Sequence, residues 1–150
     1  MLFWYDDVMK TYDEILTASL QHPLADFLHS RAIISCGPDA TVREAVESMR
    51  QHKIGCVVVT KNDVAIGIFT ERDFLFRFDM ASLDFLSEPV SDHMTEAPKF
   101  VRDRDHLADA VQLLSGSCFR HVVVTGDQNT LVGVLSIKDV LHMLVSSHGS

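Results

Sequence analysis

The amino-acid sequence predicts a mixed α/β (α+β) protein: two tandem β-α-β-β-α repeats packed through their sheets and preceded by an N-terminal helix. The first observation behind this prediction is that the second half of the chain repeats the first. The second is that one segment in each half has apolar residues at the helical spacing. The third is that each half contains two short β-rich apolar runs separated by a polar turn.

The internal repeat is carried by an ordered series of matches. Residues 65–75 recur as residues 131–141 at an offset of 66, with glycine, hydroxyl residue and aspartate all matched. Residues 57–60 match 122–125 at an offset of 65, and Leu24-Ala25-Asp26 matches Val90-Ser91-Asp92 at 66. Chance does not supply such a series, so the chain is a duplicated unit.

The N-terminal segment, residues 1–23, is predicted to be an amphipathic helix. Its helical stripe consists of Val8, Tyr12, Ile15, Leu16, Ser19 and Leu20. One interpretation is a helix that packs on its own module. The other is a docking helix for a second subunit or another protein, anchored by Phe3, Trp4 and Tyr5.

The first repeat is placed at residues 24–78. A short strand at 32–35 precedes a helix that opens at Thr41, where Glu44 gives the spacing of a capping box. Buried strands at 56–60 and 65–69 follow, and a closing helix begins at Thr70. Residues 79–89 are a linker with a short helix that ends before Pro89.

The second repeat is placed at residues 90–146, before a tail at 147–150. Its elements are a strand at 99–101, a helix capped by Asp105 or His106, strands at 121–125 and 131–135, and a helix that begins at Ser136. Ser115-Gly116-Ser117 is typical of a helix end and turn.

Composition excludes several classes of protein. The net charge is −8 and the thirteen Lys and Arg are scattered, which argues against a nucleic-acid partner. No apolar run approaches the roughly 20 residues of a membrane span, and no secretory signal is visible at the N-terminus. Cys36, Cys56 and Cys118 are far apart, which favours reduced thiols and a cytoplasmic location. Neither a zinc spacing nor a catalytic motif is present, so the chain is not expected to be an enzyme.

The segment Gly67–Asp73, together with Val90–Thr95 before the second copy, resembles the paired cystathionine-beta-synthase-type (CBS) domain, or Bateman module. The resemblance covers about residues 24–146. It implies that adenosine-bearing ligands bind in clefts between the two repeats. It also implies association into a disc-like homodimer and regulation of a protein partner.

The residues at the start of each closing helix support this chemistry. The carboxylate of Asp73 or Asp139, one turn into the helix, can accept hydrogen bonds from both hydroxyls of a ribose. Thr70 and Ser136 can bond a phosphate or ribose oxygen beside free helix N–H groups. The alternative is that these residues only cap their helices.

The resemblance also groups the candidate residues, because a cleft combines the aspartate of one repeat with early strands of the other. One expected cleft contains Thr70, Asp73, Arg120 and His121, and the other contains Ser136, Asp139, Ile34, Ser35 and Cys56. A phosphate-rich ligand is expected in the first, because an arginine fork suits phosphate. Arg72 and Lys138 either contribute to phosphate binding or are solvated helix residues.

The function predicted from the sequence is therefore a regulatory sensor of AMP, ADP or ATP that needs no cofactor; S-adenosylmethionine and NAD stay open as ligands. An alternative is a ligand-free dimerising scaffold that binds a protein partner through its N-terminal helix.

Overall fold

The computed structural model describes residues 2–28, 32–96, 100–116 and 120–146, with the side chains of residues 2–5 and 12 left out. After helix α1 (Leu2–Leu20), the first repeat contains one principal helix, one closing helix and a four-stranded sheet. Its elements are β1 (Ser35–Cys36), α2 (Val42–His52), β2 (Cys56–Lys61), β3 (Val64–Thr70), α3 (Glu71–Arg77) and β4 (Thr95–Glu96). Single 3₁₀ turns occupy Leu24–Phe27, Asp84–Ser87 and Val90–Asp92.

The second repeat has the same order of elements around a three-stranded sheet. It consists of β5 (Phe100–Arg102), α4 (Leu107–Ser115), β6 (His121–Thr125), β7 (Leu131–Ser136) and α5 (Ile137–Ser146), with a 3₁₀ turn at Asp127–Asn129. In both sheets the short first strand runs parallel to the central strand, and the next strand is antiparallel to it. The tandem β-α-β-β-α fold predicted from the sequence is confirmed.

The capping signals predicted for the principal helices are realised in different ways. Thr41 and Glu44 form a complete capping box: the Thr41 N–H donates to the Glu44 carboxylate at 2.7 Å, and the Glu44 N–H donates to the Thr41 hydroxyl at 3.2 Å. In α4 the cap is His106, whose N–H donates to the Asp109 carboxylate at 2.9 Å. Asp105 instead accepts from the Arg102 N–H at 2.7 Å and closes the preceding turn.

Several boundaries differ from the sequence prediction. The first strand lies at Ser35–Cys36 rather than 32–35, because only these two residues pair with β2. The linker helix is a 3₁₀ turn at Asp84–Ser87, and β4 was not predicted. Lys99, Ser117, Cys118 and the tail 147–150 lie outside the described residues, as do the side chains of Phe3, Trp4 and Tyr5.

The central strands bury both of their faces. In β2, Val57 and Val59 face helix α2, whereas Cys56 and Val58 face the other repeat. In β6, Val122 and Val124 likewise face the helices of the second repeat, and Val123 joins the cluster between the sheets. This alternation follows from the two-residue period of a strand. It packs the two repeats through their sheets, as the sequence predicts.

The leading segment of each repeat packs on the other repeat. Leu24, fully buried, belongs to the core of the second repeat, and its N–H donates to the Asp105 carbonyl at 2.8 Å. Val90, also fully buried, belongs to the core of the first repeat, and its N–H donates to the Ala40 carbonyl at 2.7 Å. The packing units are therefore not the same as the sequence repeats.

This exchange requires a glycine in each second strand. A Cβ added to Gly67 would lie 2.9 Å from Cγ of Met94, and one added to Gly133 would lie 2.9 Å from Cδ2 of Leu28. Backbone atoms and side chains packed this closely leave no space for a larger residue.

Helix α1 contacts α4 and α5 of its own module, and Ser19 near its end is buried. Met9 and Leu16 on its outer side are nearly half exposed. No helix in the described part of the chain combines the length and the apolar character that crossing a membrane needs.

Candidate functional site

Two grooves lie where the repeats meet, at the N-terminal ends of α3 and α5. The first groove has a volume of about 750 Å³ and the second about 660 Å³. Both volumes lie within the range of small-molecule sites, roughly 300–1,000 Å³. Each groove is large enough for a nucleotide.

The first groove brings together residues from both repeats. Its polar lining consists of Thr70, Glu71, Arg72, Asp73 and Arg77 from the first repeat, with Thr95, Arg120 and His121 from the second. Ile68, Leu75 and Phe76 supply apolar surface. The four residues that the resemblance assigned to this cleft thus line one groove.

Asp73 holds the end of α3 in a complete capping box. Its Oδ2 accepts from both the N–H and the hydroxyl of Thr70, each at 2.9 Å, and the Asp73 N–H donates to that hydroxyl at 3.2 Å. Thr70 and Asp73 therefore cap α3. Capping does not remove them from the groove, which both side chains line.

Arg77, one turn further along α3, was not singled out from the sequence. Its Nε lies 3.2 Å from Oδ1 of Asp73, and its guanidinium donates to the His93 carbonyl at 2.8 Å and to the Thr95 hydroxyl at 3.4 Å. The sequence signal was a basic residue four positions after the aspartate, the spacing at which helical side chains meet.

The second groove repeats the arrangement with other chemistry. The Asp139 carboxylate accepts from the N–H and the hydroxyl of Ser136, each at 2.8 Å, and Asp139 is only 8% exposed. Ile34 and Cys56 of the first repeat line the same groove. Ser35 differs from the expectation: it is exposed on β1 and is not among the described lining residues.

His121 lines both grooves. A Cβ added to Gly55 would lie 3.1 Å from its ring, so the glycine leaves space for the imidazole. Burial lowers the pKa of His121, while the carboxylates of Glu71 and Asp139 oppose that shift and Arg120 adds to it. The neutral imidazole is thus favoured at the point where the grooves meet.

The positive charge differs between the grooves. Three arginines, Arg72, Arg77 and Arg120, line the first groove. The second groove has Lys53 and Lys138 together with His142, of which only Lys138 was singled out from the sequence. The Arg72 guanidinium also lies 5.5 Å from the centre of the Phe76 ring, within cation–π range.

Among the residues that the structure describes, no three His, Cys, Asp or Glu side chains are grouped as metal ligands. Cys56 lies in the second groove as a buried thiol. Burial, with a contribution from the carboxylates of Glu71 and Asp139, raises its pKa to about 12.

Comparison with known proteins gives a consistent result. The CBS domain family model matches residues 24–79 and 90–146. A mitochondrial CBS domain-containing protein of Arabidopsis thaliana is 36% identical over 118 residues, which are 75% of this chain and 57% of that protein. The chain thus spans little more than half the length of that relative.

Solved structures agree with this match. A CBS-domain protein from Agrobacterium tumefaciens is 33% identical, with a TM-score of 0.71 over 81% of this chain and 98% of that one. A CBS domain protein from Pyrobaculum aerophilum, solved in complex with AMP, is 27% identical, with a TM-score of 0.72 over 86% of this chain and all of that one. With its duplicated elements and paired grooves, the chain belongs to the CBS domain family and contains two CBS repeats.

Proposed function

We propose that this protein is a regulatory module that binds an adenine nucleotide, AMP, ADP or ATP, in the grooves between its repeats and signals to a protein partner. One observation carries the proposal. Each groove is lined by a hydroxyl–aspartate pair from one repeat and by side chains of the other repeat. A ligand that spans the groove therefore contacts both halves of the molecule.

The chemistry of the first groove suits a nucleotide. The carboxylate of Asp73 is an acceptor for ribose hydroxyls. Arg72 and Arg120 offer planar donor groups that match phosphate. Ile68 and Phe76 provide an apolar surface for a base. The AMP bound to the Pyrobaculum protein supports the same ligand class here.

Isothermal titration with AMP, ADP and ATP tests the proposal. A nucleotide at a free concentration one hundred times its Kd is expected to raise the free energy of unfolding by about 2.7 kcal/mol. A thermal shift with S-adenosylmethionine and NAD, and none with the three nucleotides, would show that the ligand is not AMP, ADP or ATP but another adenosine-containing compound. No heat and no thermal shift with any of them would contradict nucleotide sensing.

The chain contains a matched control for the groove residues. Asp73→Ala removes a capping carboxylate that lines the first groove, whereas Asp109→Ala removes one that lines neither groove. Both variants are expected to lose about 1 kcal/mol of stability from the lost cap. Only Asp73→Ala is expected to lose nucleotide binding in the first groove. Equal effects of both variants on binding would show that Asp73 acts only as a cap.

We propose further that the module is a homodimer. Helices α3 and α5 expose large apolar side chains, with Leu75 70% exposed and Leu141 58% exposed at equivalent positions of the two repeats. Phe76 and Val145 beside them are more than 70% exposed. Large exposed apolar side chains at equivalent positions of the two repeats are typical of a surface that becomes buried in an interface.

The ligand-free scaffold stays an alternative because Met9 and Leu16 expose apolar surface on the outer side of α1. Leu16→Asp would abolish capture of a protein partner if α1 is the docking helix. Partner capture that survives this change but is lost with Asp73→Ala would favour the nucleotide-dependent module instead.

A further inference from the structure

The contacts of Arg77 suggest a role beyond helix stability. Oδ2 of Asp73 already accepts two hydrogen bonds from Thr70, and Oδ1, the other carboxylate oxygen, lies 3.2 Å from Nε of Arg77. A ribose that bonds Asp73 through both hydroxyls must therefore compete with this guanidinium. The Arg77 side chain is 47% exposed and lines the groove, so it has space to change its position there.

The second repeat differs at this position. The residue equivalent to Arg77 is Met143, which is 8% exposed and belongs to the hydrophobic core. A methionine cannot form an ion pair with Asp139. The ion pair of the aspartate with a residue four positions later is thus a feature of α3 that α5 does not repeat.

We infer that Arg77 makes the first groove selective for phosphorylated adenine ligands. A phosphate in this groove draws the guanidinium away from Asp73, because a bidentate arginine–phosphate pair is a strong charge-assisted interaction. The carboxylate is then available to the ribose. A nucleoside without phosphate has no group that displaces Arg77. The inference rests on the proposed nucleotide binding and names the residue that sets its selectivity.

The same movement has a second consequence. Arg77 holds the leading segment of the second repeat at the His93 carbonyl and the Thr95 hydroxyl, and Thr95 begins β4 at the edge of the first sheet. When phosphate draws the guanidinium away, these two hydrogen bonds are lost. Binding of a nucleotide is therefore transmitted to the leading segment of the second repeat, residues 93–96.

NMR titration of the full chain with AMP and with adenosine tests this inference. Amide resonances of residues 71–77 and 93–96 report on the first groove separately from the second. In the wild-type protein AMP is expected to bind the first groove at least tenfold more tightly than adenosine. A tenfold ratio of affinities corresponds to about the free energy of one hydrogen bond to a charged group. AMP, but not adenosine, is expected to shift the amides of residues 93–96.

Arg77→Met gives the first repeat the residue, methionine, that the second repeat has at the equivalent position, Met143. It is expected to bind adenosine more tightly and AMP more weakly, so that the ratio of the two affinities falls by about tenfold. Arg77→Lys keeps the positive charge and is expected to retain most of the ratio. Arg72→Met is a control that removes a groove arginine whose guanidinium lies over the Phe76 ring, whereas the ion pair of Asp73 is with Arg77. It is expected to weaken AMP binding without strengthening adenosine binding.

An Arg77→Met protein whose adenosine affinity is unchanged or reduced overturns this inference and leaves nucleotide binding intact. Absence of binding of both ligands to the wild-type and variant proteins overturns the proposed function together with the inference. Thermal unfolding monitored by circular dichroism verifies that each variant is folded.

Discussion

Met94 packs against the bare Cα of Gly67, so closely that a Cβ there would lie 2.9 Å from its Cγ. Leu28 and Gly133 stand in the same relation in the other half of the molecule. Each of these glycines belongs to the repeated motif, yet what it contacts is the exchanged leading segment of the other repeat. The structural role of the motif glycine is thus to join the halves.

Gly67→Ala is therefore expected to destabilise the protein. The new methyl group collides with the Met94 side chain, and overpacking of this kind costs about 1–3 kcal/mol. Urea unfolding measures the loss. Met94→Ala in the same chain is expected to recover part of it, because it removes the atoms that collide.

Gly37→Ala is the control for this prediction. No atom lies within 4 Å of a Cβ added to Gly37. The substitution is expected to leave stability unchanged or to raise it slightly, since alanine restricts the unfolded chain more than glycine does. Equal losses from Gly37→Ala and Gly67→Ala would contradict the close packing described for Met94.

Stability is expected to depend on pH through His121. Burial lowers the pKa of His121 in the folded protein below the ordinary value of 6.5. Below pH 6.5 the unfolded chain takes up this proton more readily than the folded protein, so the free energy of unfolding falls as the pH decreases. The contribution is complete above pH 6.5 and is lost as the pH falls through the lowered pKa.

Urea unfolding between pH 5 and pH 8 measures this dependence. His121→Gln is expected to flatten the decline on the acid side. His142→Gln, which changes an exposed histidine on α5, is expected to keep the wild-type slope. A His121→Gln protein with the wild-type slope would assign the dependence to other groups.

The described thiols are expected to react slowly. Burial raises the pKa of Cys36 to about 11, with a contribution from Glu44, and that of Cys56 to about 12. Since the thiolate is the reactive form, both residues are nearly inert at neutral pH. In a Cys118→Ser protein, the release of thionitrobenzoate from Ellman's reagent at pH 7.5 is expected to be slow until urea unfolds the chain. A fast phase in the folded state would contradict these raised pKa values.

The homodimer proposal predicts that Leu141→Asp yields a monomer of 16.8 kDa in sedimentation velocity. A carboxylate at the centre of an apolar interface is left buried and unpaired, which is strongly unfavourable. Leu83→Asp is the control, since Leu83 is 57% exposed and Leu141 58%, and Leu83 lies outside both helices. Dimers that tolerate Leu141→Asp would place the interface elsewhere.

The fold could be predicted from the sequence because the repeat shows each element twice. The Thr41–Glu44 capping box and the valines of β2 and β6 are local signals, and local signals fix helix starts and strand faces. The exchange of Leu24 and Val90 between the halves could not be predicted. The repeat shows that the segments containing Leu24 and Val90 are equivalent. It does not show that each of them packs into the hydrophobic core of the other repeat.

The candidate site was predicted less completely. The hydroxyl–aspartate pairs were visible because they recur, but their grouping with Arg120, His121, Ile34 and Cys56 depended on family resemblance. Ser35 was placed in the second groove together with Ile34 because, in the family, a cleft combines the aspartate of one repeat with the early strands of the other. The actual strand is two residues long, and Ser35 is exposed.

The exchanged segments also decide how the chain can be divided. A break between Ser82 and Leu83 would leave the N-terminal fragment without Phe85 and Val90, which complete its own core, and the C-terminal fragment without Leu24. Neither fragment carries a full interior, so each alone should remain unfolded, whereas the pair produced in one cell should reassemble. Segments that match as copies in the sequence are therefore expected to fold only together.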